Sequence, residues 1–283
     1  MKLSVIFIVN HFNMENIVGQ IICRQLESIP LIANYTCILL KNFSSYKLHG
    51  TGVFIKIGNL HLLVSAAHVF DDFHELFIPI ENGKTLIKPG GDIIFNNPKS
   101  DRKSDELDIG ILLLDKLTVN DLKSNYNFLD EGDLLINHKL IYLNSYIVFG
   151  YPSSWSKKSI SRNSFHSRPL ISFTQPLDTD YSLFKREEFL NIIVEYNRKE
   201  TLNFKSKKFS FGPNLFGISG CGLWYISPSD YAKEAKPKLV GIMTDWTIKN
   251  RKVIIGTRID AITEILRKKG YINFRESDLF SFK

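Results

Sequence analysis

Short apolar runs separated by polar turn residues recur along most of this chain, and they limit its fold more than any other feature. Each run is a few residues long, which suits a β-strand better than a helix. Gly, Pro, Asn and Asp stand between the runs, and many short strands spaced in this way predict an all-β sandwich or barrel. The candidate strands are 34–40, 51–57, 61–65, 75–80, 84–88, 109–114, 145–149, 170–174, 190–195, 222–226, 238–243 and 252–257.

The composition agrees with β structure, because Phe is abundant with 21 residues and aromatic side chains suit a pleated, half-buried surface. Two helical segments are expected: one turn at 66–70, and an amphipathic helix at 259–270 that ends in basic residues and a glycine. The stretch 116–143 is polar and lacks clear periodicity, which makes it a candidate boundary between two halves. Polar clusters in 151–213 predict long surface loops.

Charge and cysteine content limit the classes of partner. The net charge of +7 is spread along the chain, without a recognition helix, zinc finger or aromatic RNA-binding pattern, so nucleic acid is disfavoured as the main partner. Three cysteines make no disulfide framework and lack metal-ligand spacing. No run reaches the ~20 apolar residues that cross a bilayer. We therefore expect a soluble, cytoplasmic protein with no membrane partner.

One histidine has an unusual setting. His68 lies near the end of the stretch GTGVFIKIGNLHLLVSAAHVF, after two apolar strands and two alanines. Small residues before it let the backbone turn tightly and would leave the imidazole at the mouth of a barrel. For a lone histidine, a core or surface role is the commoner explanation.

An acid and a serine follow later in the chain. Asp108 directly precedes the apolar run 109–114, where it either marks a strand boundary or accepts the Nδ1–H of a histidine. Ser219 lies in FGISGCGLW, residues 216–224. A serine needs a base to become a nucleophile, and Gly217 permits a backbone in which the N–H groups of Gly217 and Ser219 form an oxyanion hole. The alternative is a glycine-rich turn before a strand.

Taken together and in this order, these motifs resemble the trypsin/chymotrypsin-like serine proteases. GTGVF and LLVSAAHV resemble the strand and turn of the catalytic histidine, LDIGILLL resembles the Asp-Ile-Ala-Leu stretch, and GISGCG resembles Gly-x-Ser-Gly-Gly. LVGIMTDW resembles the strand that binds substrate backbone, and GTRIDAITEIL the terminal strand and closing helix. The resemblance covers most of 34–269 and fits an intracellular or uncharacterised bacterial branch, because disulfides are missing.

The resemblance implies an all-β fold of two six-stranded-type, trypsin-like β-barrels with a C-terminal helix. It divides the chain into an N-terminal extension at 1–33, a first barrel at 34–130, and a second barrel with the helix at 131–283. It implies a protein or peptide substrate, and neither metal nor cofactor.

The resemblance also implies residue roles. His68 becomes the general base, Asp108 the orienting acid, Ser219 the nucleophile, and Gly217 and Ser219 the oxyanion donors. The implied substrate-contacting residues are Pro213, Thr244, Asp245 and Trp246, and Thr244 would replace a serine near the buried aspartate. Pro213 carries no charge, so an apolar or small primary pocket is expected, unless Asp245 or Asp180 supplies a negative base.

The chain departs from the family pattern at two positions. Cys221 stands where the family has a second glycine, but Ser219 already fills the nucleophile position, so a cysteine nucleophile is disfavoured. Ile218 replaces the acid that pairs with a freed N-terminal amine in zymogens. The sequence IVGQ at 17–20 is therefore treated as coincidence, and proteolytic activation is not implied.

Two rival functions remain. One is a trypsin-like binding module whose site is idle, or is held closed until an activating protein partner arrives; Cys221 and the polar segment 151–213 motivate it. The other is a basic nucleic-acid-associated protein, whose binding would depend steeply on salt.

Overall fold

A computed structural model describes residues 17–42, 46–95, 102, 105–142, 146–159, 164–196, 201–203, 208–227, 236–247 and 253–280. The stretch MKLSVIFIVNHFN at the start of the chain, whose apolar residues predict a first strand or helix turn, lies outside these ranges. The strands of the described chain form two curled sheets of eight strands each and one two-stranded hairpin.

The first sheet takes its strands from the N-terminal half. They run in the order β5-β4-β1-β2-β3-β7-β6, and β8 pairs in parallel with β2. Their bounds are β1 (Thr36–Asn42), β2 (Tyr46–Ile57), β3 (Leu60–Ala66), β4 (Leu76–Ile80), β5 (Thr85–Ile87), β6 (Gly91–Phe95), β7 (Ile109–Leu114) and β8 (Leu129–Asp130).

The second sheet and a separate hairpin take the remaining strands. In chain order these are β9 (Tyr146–Gly150), β10 (Ser156–Ser159), β11 (Ser164–Ser167), β12 (Leu170–Thr174), β13 (Asn191–Glu195), β14 (Thr201–Asn203), β15 (Lys208–Ser210), β16 (Cys221–Tyr225), β17 (Lys238–Thr247) and β18 (Val253–Arg258). The sheet runs β13-β18-β17-β16-β9-β12-β14-β15, and β10 pairs with β11 alone.

In the described part of the chain, four α-helices accompany the sheets: α1 (Ile17–Tyr35), α2 (Ala67–Phe70), α3 (Lys116–Leu122) and α4 (Ile259–Lys268). Short 3₁₀ turns lie at Phe73–Glu75, Glu81–Gly83, Glu131–Asp133, Ser153–Trp155, Tyr181–Phe184 and Asp278–Phe280.

The predicted all-β architecture of two curled barrel-like sheets with a C-terminal helix is confirmed. Each candidate strand overlaps an observed strand, and both expected helices are present as α2 and α4. The sheets also contain strands that the apolar pattern does not reveal. In the described part of 151–213, expected to form surface loops, β10, β11, β14 and β15 pair through their backbones although their side chains are largely polar.

Two helices were missed. The strand expected from residue 34 starts at Thr36, because α1 runs to Tyr35, whose ring stacks on Trp224 with centroids 6.1 Å apart. The aperiodic stretch 116–143 begins with α3, and Asp115 caps it by accepting the Thr118 N–H at 2.7 Å. An N-terminal cap of this kind stabilises a helix by about 1 kcal/mol.

The main core lies between the two sheets and includes side chains from α1 and α4. Val64 of the first sheet, Phe149 and Trp224 of the second, and Ile262 of α4 are all fully buried in one cluster. Burying a large apolar side chain contributes about 1.5–3 kcal/mol. This shared core holds the end of β3 and the loop before β16 against each other, where the candidate site lies.

Candidate active site

His68 lies on α2, the single helical turn that follows β3. Ala66 and Ala67, which precede it, are fully buried, so their small side chains allow the tight passage from strand to helix. The His68 side chain remains 37% exposed. The imidazole is therefore reachable from solvent although the backbone that carries it is part of the core.

Asp108 holds His68 at two points. Its Oδ2 lies 2.7 Å from His68 Nδ1, and its Oδ1 accepts the His68 backbone N–H at 3.0 Å. The Asp108 carbonyl also accepts the Ala67 N–H at 2.9 Å. Asp108 is buried, with a φ of 36°, a left-handed conformation that is uncommon outside glycine but tolerated by aspartate. These bonds orient the ring and favour the Nδ1–H tautomer.

The chain just before Asp108 is held by the second sheet. Asn191 Nδ2 donates to the Glu106 carbonyl at 2.9 Å, and Thr257 Oγ1 donates to the Leu107 carbonyl at 2.6 Å. Thr244 was expected beside this aspartate and is buried. Among the described residues, however, Thr244 makes no hydrogen bond to the Asp108 carboxylate, whose partners belong to His68.

The pKa of His68 is raised. Burial of the imidazole lowers its pKa, but the hydrogen bond and negative charge of Asp108 outweigh burial, with further contributions from Asp71 and Asp245. Nearby carboxylates favour the charged form of a base. His68 is therefore suited to accept a proton and to be stabilised once it carries it.

The loop 216–220 places Ser219 at the start of β16 by means of two glycines. Gly217 has a φ of 91° and Gly220 a φ of 88°, values that L side chains rarely adopt. A side chain on Gly220 would also collide with Ser65 Oγ and the Thr51 carbonyl of the first sheet. The loop can therefore approach the first sheet only with glycine at that position.

Two backbone N–H groups of this loop point to no acceptor. The N–H groups of Ile218, Gly220 and Cys221 bond to carbonyls at 2.7 to 3.2 Å. Those of Gly217 and Ser219 have no hydrogen-bond acceptor within the described part of the chain. Unpaired N–H groups on a serine and on the residue two positions before it are the donor arrangement that an oxyanion requires.

The peptide units that carry these two N–H groups have their carbonyls, those of Phe216 and Ile218, hydrogen-bonded to other backbone N–H groups. Ser153 N donates to the Phe216 carbonyl at 2.7 Å, and Cys221 N donates to the Ile218 carbonyl at 2.9 Å. A planar trans peptide directs its C=O and N–H in opposite directions. Fixing these two carbonyls therefore turns the two free N–H groups to the opposite side of the loop.

The structure brings Ser219 and the segment of His68 to the same point of the first sheet. A Cβ built on Gly50 would contact the side chain of Val69 at 2.6 Å and would lie 3.3 Å from the Ser219 carbonyl oxygen. Among the described residues, Ser219 Oγ makes no hydrogen bond to His68. The histidine and aspartate are thus joined, and the serine lies beside them without a direct bond.

Cys221 is a packing residue. It is fully buried, and burial raises the pKa of its thiol, so it holds no thiolate at neutral pH. The room for its side chain comes from Gly150 on β9, where a Cβ would lie 2.6 Å from Cys221 Cβ. Glycine at position 150 therefore leaves open the space that the Cys221 side chain fills.

The residues expected at the substrate side lie on β17 and before the serine loop. Asp245 is exposed and pairs with Arg186, Nη2 to Oδ2 at 3.2 Å, and its charge reaches His68. Trp246 meets Phe216 edge-to-face, with ring centroids 5.5 Å apart. Pro213, also expected at the pocket, is buried, and its carbonyl accepts the Tyr196 hydroxyl at 3.2 Å.

Asp180, the other acid considered for the base of the pocket, makes a local hydrogen bond. Its side chain caps the 3₁₀ turn Tyr181–Phe184, accepting the Ser182 N–H at 2.9 Å. That hydrogen bond lowers the pKa of Asp180. Of the two candidate acids, Asp245 is therefore the one whose charge acts on His68.

Comparisons with known proteins add little about chemistry. No protein-family model matches the chain, and no curated protein matches it. One solved structure that it resembles is described as a thermostable serine protease AL20 from an extremophilic microorganism, with a TM-score of 0.48 and 10% sequence identity over 85% of this chain and 98% of that chain. A likeness of this degree says nothing about chemistry, which has to be inferred from the side chains.

Four residues with a role in this geometry were missed from the sequence: Thr51, Arg186, Asn191 and Thr257. Thr51 is the middle residue of the GTG stretch, which was used only to recognise a strand. The threonine of GTR was likewise used only as part of a closing motif. Nothing in the local sequence distinguishes Arg186 or Asn191 from their polar neighbours, because their contacts are distant along the chain.

Metal and membrane sites were also sought. Within the described ranges, no group of three or more His, Cys, Asp or Glu side chains is placed to hold a metal ion. None of the helices described here is long and apolar enough to cross a membrane.

Proposed function

We propose that this protein is a serine endopeptidase that cleaves peptide bonds through Ser219, His68 and Asp108. The two free N–H groups beside Ser219 carry the proposal. A glycine-rich turn that served only to begin a strand would gain nothing from leaving both of them unpaired, whereas the N–H groups of Ile218, Gly220 and Cys221 are all paired.

In this mechanism His68 Nε2 takes the proton of Ser219 Oγ as the oxygen attacks the scissile carbonyl. Asp108 keeps the ring in the productive tautomer and stabilises the imidazolium. The N–H groups of Gly217 and Ser219 bind the anionic oxygen of the tetrahedral intermediate. His68 then protonates the leaving amine, and water hydrolyses the acyl-enzyme by the same steps. Hydrogen bonds between base and nucleophile are often long before substrate binds.

We further propose a substrate with an apolar or small side chain at the cleaved position. The aromatic pair of Phe216 and Trp246 and the uncharged Pro213 support this preference. We place the enzyme in the cytoplasm, because Cys37 and Cys221 are free and buried and free thiols suit a reducing compartment.

A second function is favoured by one observation, the missing hydrogen bond between Ser219 Oγ and His68. An idle trypsin-like binding module would have this feature permanently, and one gated by a protein partner would have it until the partner arrives. In that case the intact pair of His68 and Asp108 would have no catalytic task.

Reaction with a fluorophosphonate probe tests the proposal, because the probe labels only an activated serine. We expect the purified chain to be labelled, Ser219→Ala and His68→Ala to lose labelling, and Cys221→Ala to keep it. Labelling that survives in Ser219→Ala would refute the assignment. An unlabelled wild-type chain would support the idle or gated module.

A further inference from the structure

Thr51 connects the first sheet to the loop that carries Ser219. It lies on β2 and is fully buried. Its backbone N–H donates to the Ser219 carbonyl at 2.9 Å, and its Oγ1 donates to the Gly217 carbonyl at 3.0 Å. The same hydroxyl oxygen accepts the Tyr151 N–H at 3.1 Å.

Thr51 is itself held in place. Ser65 Oγ on the adjacent strand β3 donates to the Thr51 carbonyl at 2.7 Å. Every hydrogen-bonding group of Thr51 is therefore used, and its hydroxyl acts once as donor and once as acceptor. A side chain so fully bonded in a buried place has a single available orientation.

Thr51 binds the carbonyls of Gly217 and Ser219. The carbonyls of Phe216 and Ile218, which alternate with them along the loop, accept hydrogen bonds from N–H groups in the second half of the chain. All four successive peptide units from 216 to 220 are thereby fixed. Gly217 is the residue of this loop whose backbone changes conformation most easily, because glycine has wide freedom in φ and ψ. The Thr51 hydroxyl is the group that holds its carbonyl.

We propose that Thr51 is a positioning residue whose hydroxyl fixes the oxyanion-binding N–H groups of Gly217 and Ser219, so that it acts on the rate of the chemical step and not on ground-state binding. This inference rests on the proposed function. It follows from geometry: without the hydroxyl, the Gly217 carbonyl and the Tyr151 N–H both lose their buried partner. The Gly217 peptide unit is then free to rotate, which turns the N–H groups of Gly217 and Ser219 away from the oxyanion.

The matched variants are Thr51→Val, which keeps the shape and removes the hydroxyl, and Thr51→Ser, which keeps the hydroxyl. Fluorophosphonate labelling is measured against probe concentration, which separates the maximal rate from the half-saturating concentration. We expect Thr51→Val to lower the maximal rate about 100-fold, with the half-saturating concentration within about twofold of wild type. We expect Thr51→Ser to stay within about fivefold of wild type in both, since it restores the hydrogen bonds.

Rates are referred to the folded fraction, which a thermal unfolding curve gives for each variant. If Thr51→Val does not fold, Thr51→Ala replaces it, because alanine removes the same hydroxyl without a second methyl group. A folded hydroxyl-free variant with the wild-type maximal rate would overturn the role of Thr51. So would an equal loss in Thr51→Ser, which would indicate a purely structural effect. An unlabelled wild-type chain would instead overturn the proposed function itself.

Discussion

The Asp108 carboxylate hydrogen-bonds both the ring and the backbone of His68, with Oδ2 2.7 Å from Nδ1 and Oδ1 3.0 Å from the backbone nitrogen. One carboxylate thus fixes both where the α2 turn begins and how its imidazole is rotated. We expect Asp108→Asn to keep the fold but to lower the fluorophosphonate labelling rate about 10³–10⁴-fold, because the amide stabilises the wrong tautomer.

The control for this change is Asp121→Asn, which alters an exposed carboxylate on α3 and should label at the wild-type rate. Circular dichroism checks that both variants fold. An Asp108→Asn variant that retains a tenth of the wild-type rate would contradict the assigned role.

The charge of Asp245 should be visible in the pH dependence of labelling. Asp245 is one of the carboxylates that raise the pKa of His68, so His68 is protonated and inactive up to a higher pH than it otherwise would be. Removing the charge in Asp245→Asn lowers that pKa, and the acid limb of the profile moves to lower pH. Labelling rates between about pH 5 and 9 measure the shift.

Asp178→Asn serves as the matched control, since Asp178 is exposed on the same half of the chain and should leave the limb in place. The shift in Asp245→Asn should shrink at high salt because the carboxylate is exposed and screened. An acid limb that moves to higher pH in Asp245→Asn would show that Asp245 does not raise the pKa of His68.

The contact between Gly150 and Cys221 can be tested by a double-mutant cycle. A Cβ on Gly150 would press on Cys221 Cβ at 2.6 Å, so Gly150→Ala should lower the free energy of unfolding by about 1–3 kcal/mol. Adding Cys221→Gly vacates that space and should restore part of the loss. Urea unfolding of the four proteins gives the coupling, expected at about 0.5–3 kcal/mol. Strictly additive changes would mean that the two residues do not share one space.

His138 should contribute to acid sensitivity of the fold. Burial and the charge of Arg258 lower the pKa of His138 to about 4, while its Nε2 lies 2.7 Å from the Tyr146 hydroxyl. An unfolded histidine takes up its proton near pH 6.5, so the unfolded state binds more protons as pH falls from there towards about 4. Stability is lost over that window.

We expect His138→Gln, which cannot titrate, to lose less stability than wild type between about pH 7 and 5. Urea midpoints at both values measure it, with exposed His74→Gln as control. Equal losses in wild type and His138→Gln would show that His138 titrates normally.

The sequence predicted the strands well and the contacts between distant segments poorly. Candidate strands such as 109–114 and 170–174 match observed strands to the residue, because an apolar run reports directly on burial. The hairpin β10–β11 has no such signal, since β10 is SKKS and β11 is SFHS, and the two strands are held by backbone pairing. Residues 17–35 were missed as a helix in part because Pro30 lies inside it and proline disfavours helix interiors.

For the candidate site too, the sequence predicted local features well and contacts between distant segments poorly. His68 and Asp108 were paired from their settings in the sequence, and the structure brings them into contact. Thr244, which was expected beside Asp108, makes no hydrogen bond to its carboxylate among the described residues, and Thr257 and Asn191 hold the adjacent chain. Which polar side chain reaches a given carbonyl depends on how two sheets dock, and no local pattern records that.

The hydrogen bonds around the site run in both directions across the boundary between the sheets. Thr51 of the first sheet fixes the serine loop of the second, and Thr257 and Asn191 of the second fix the aspartate loop of the first. Each half of the chain therefore completes the part of the site that the other half carries. We therefore expect the proposed chemistry to require both halves, and a fragment containing either half alone to lack it.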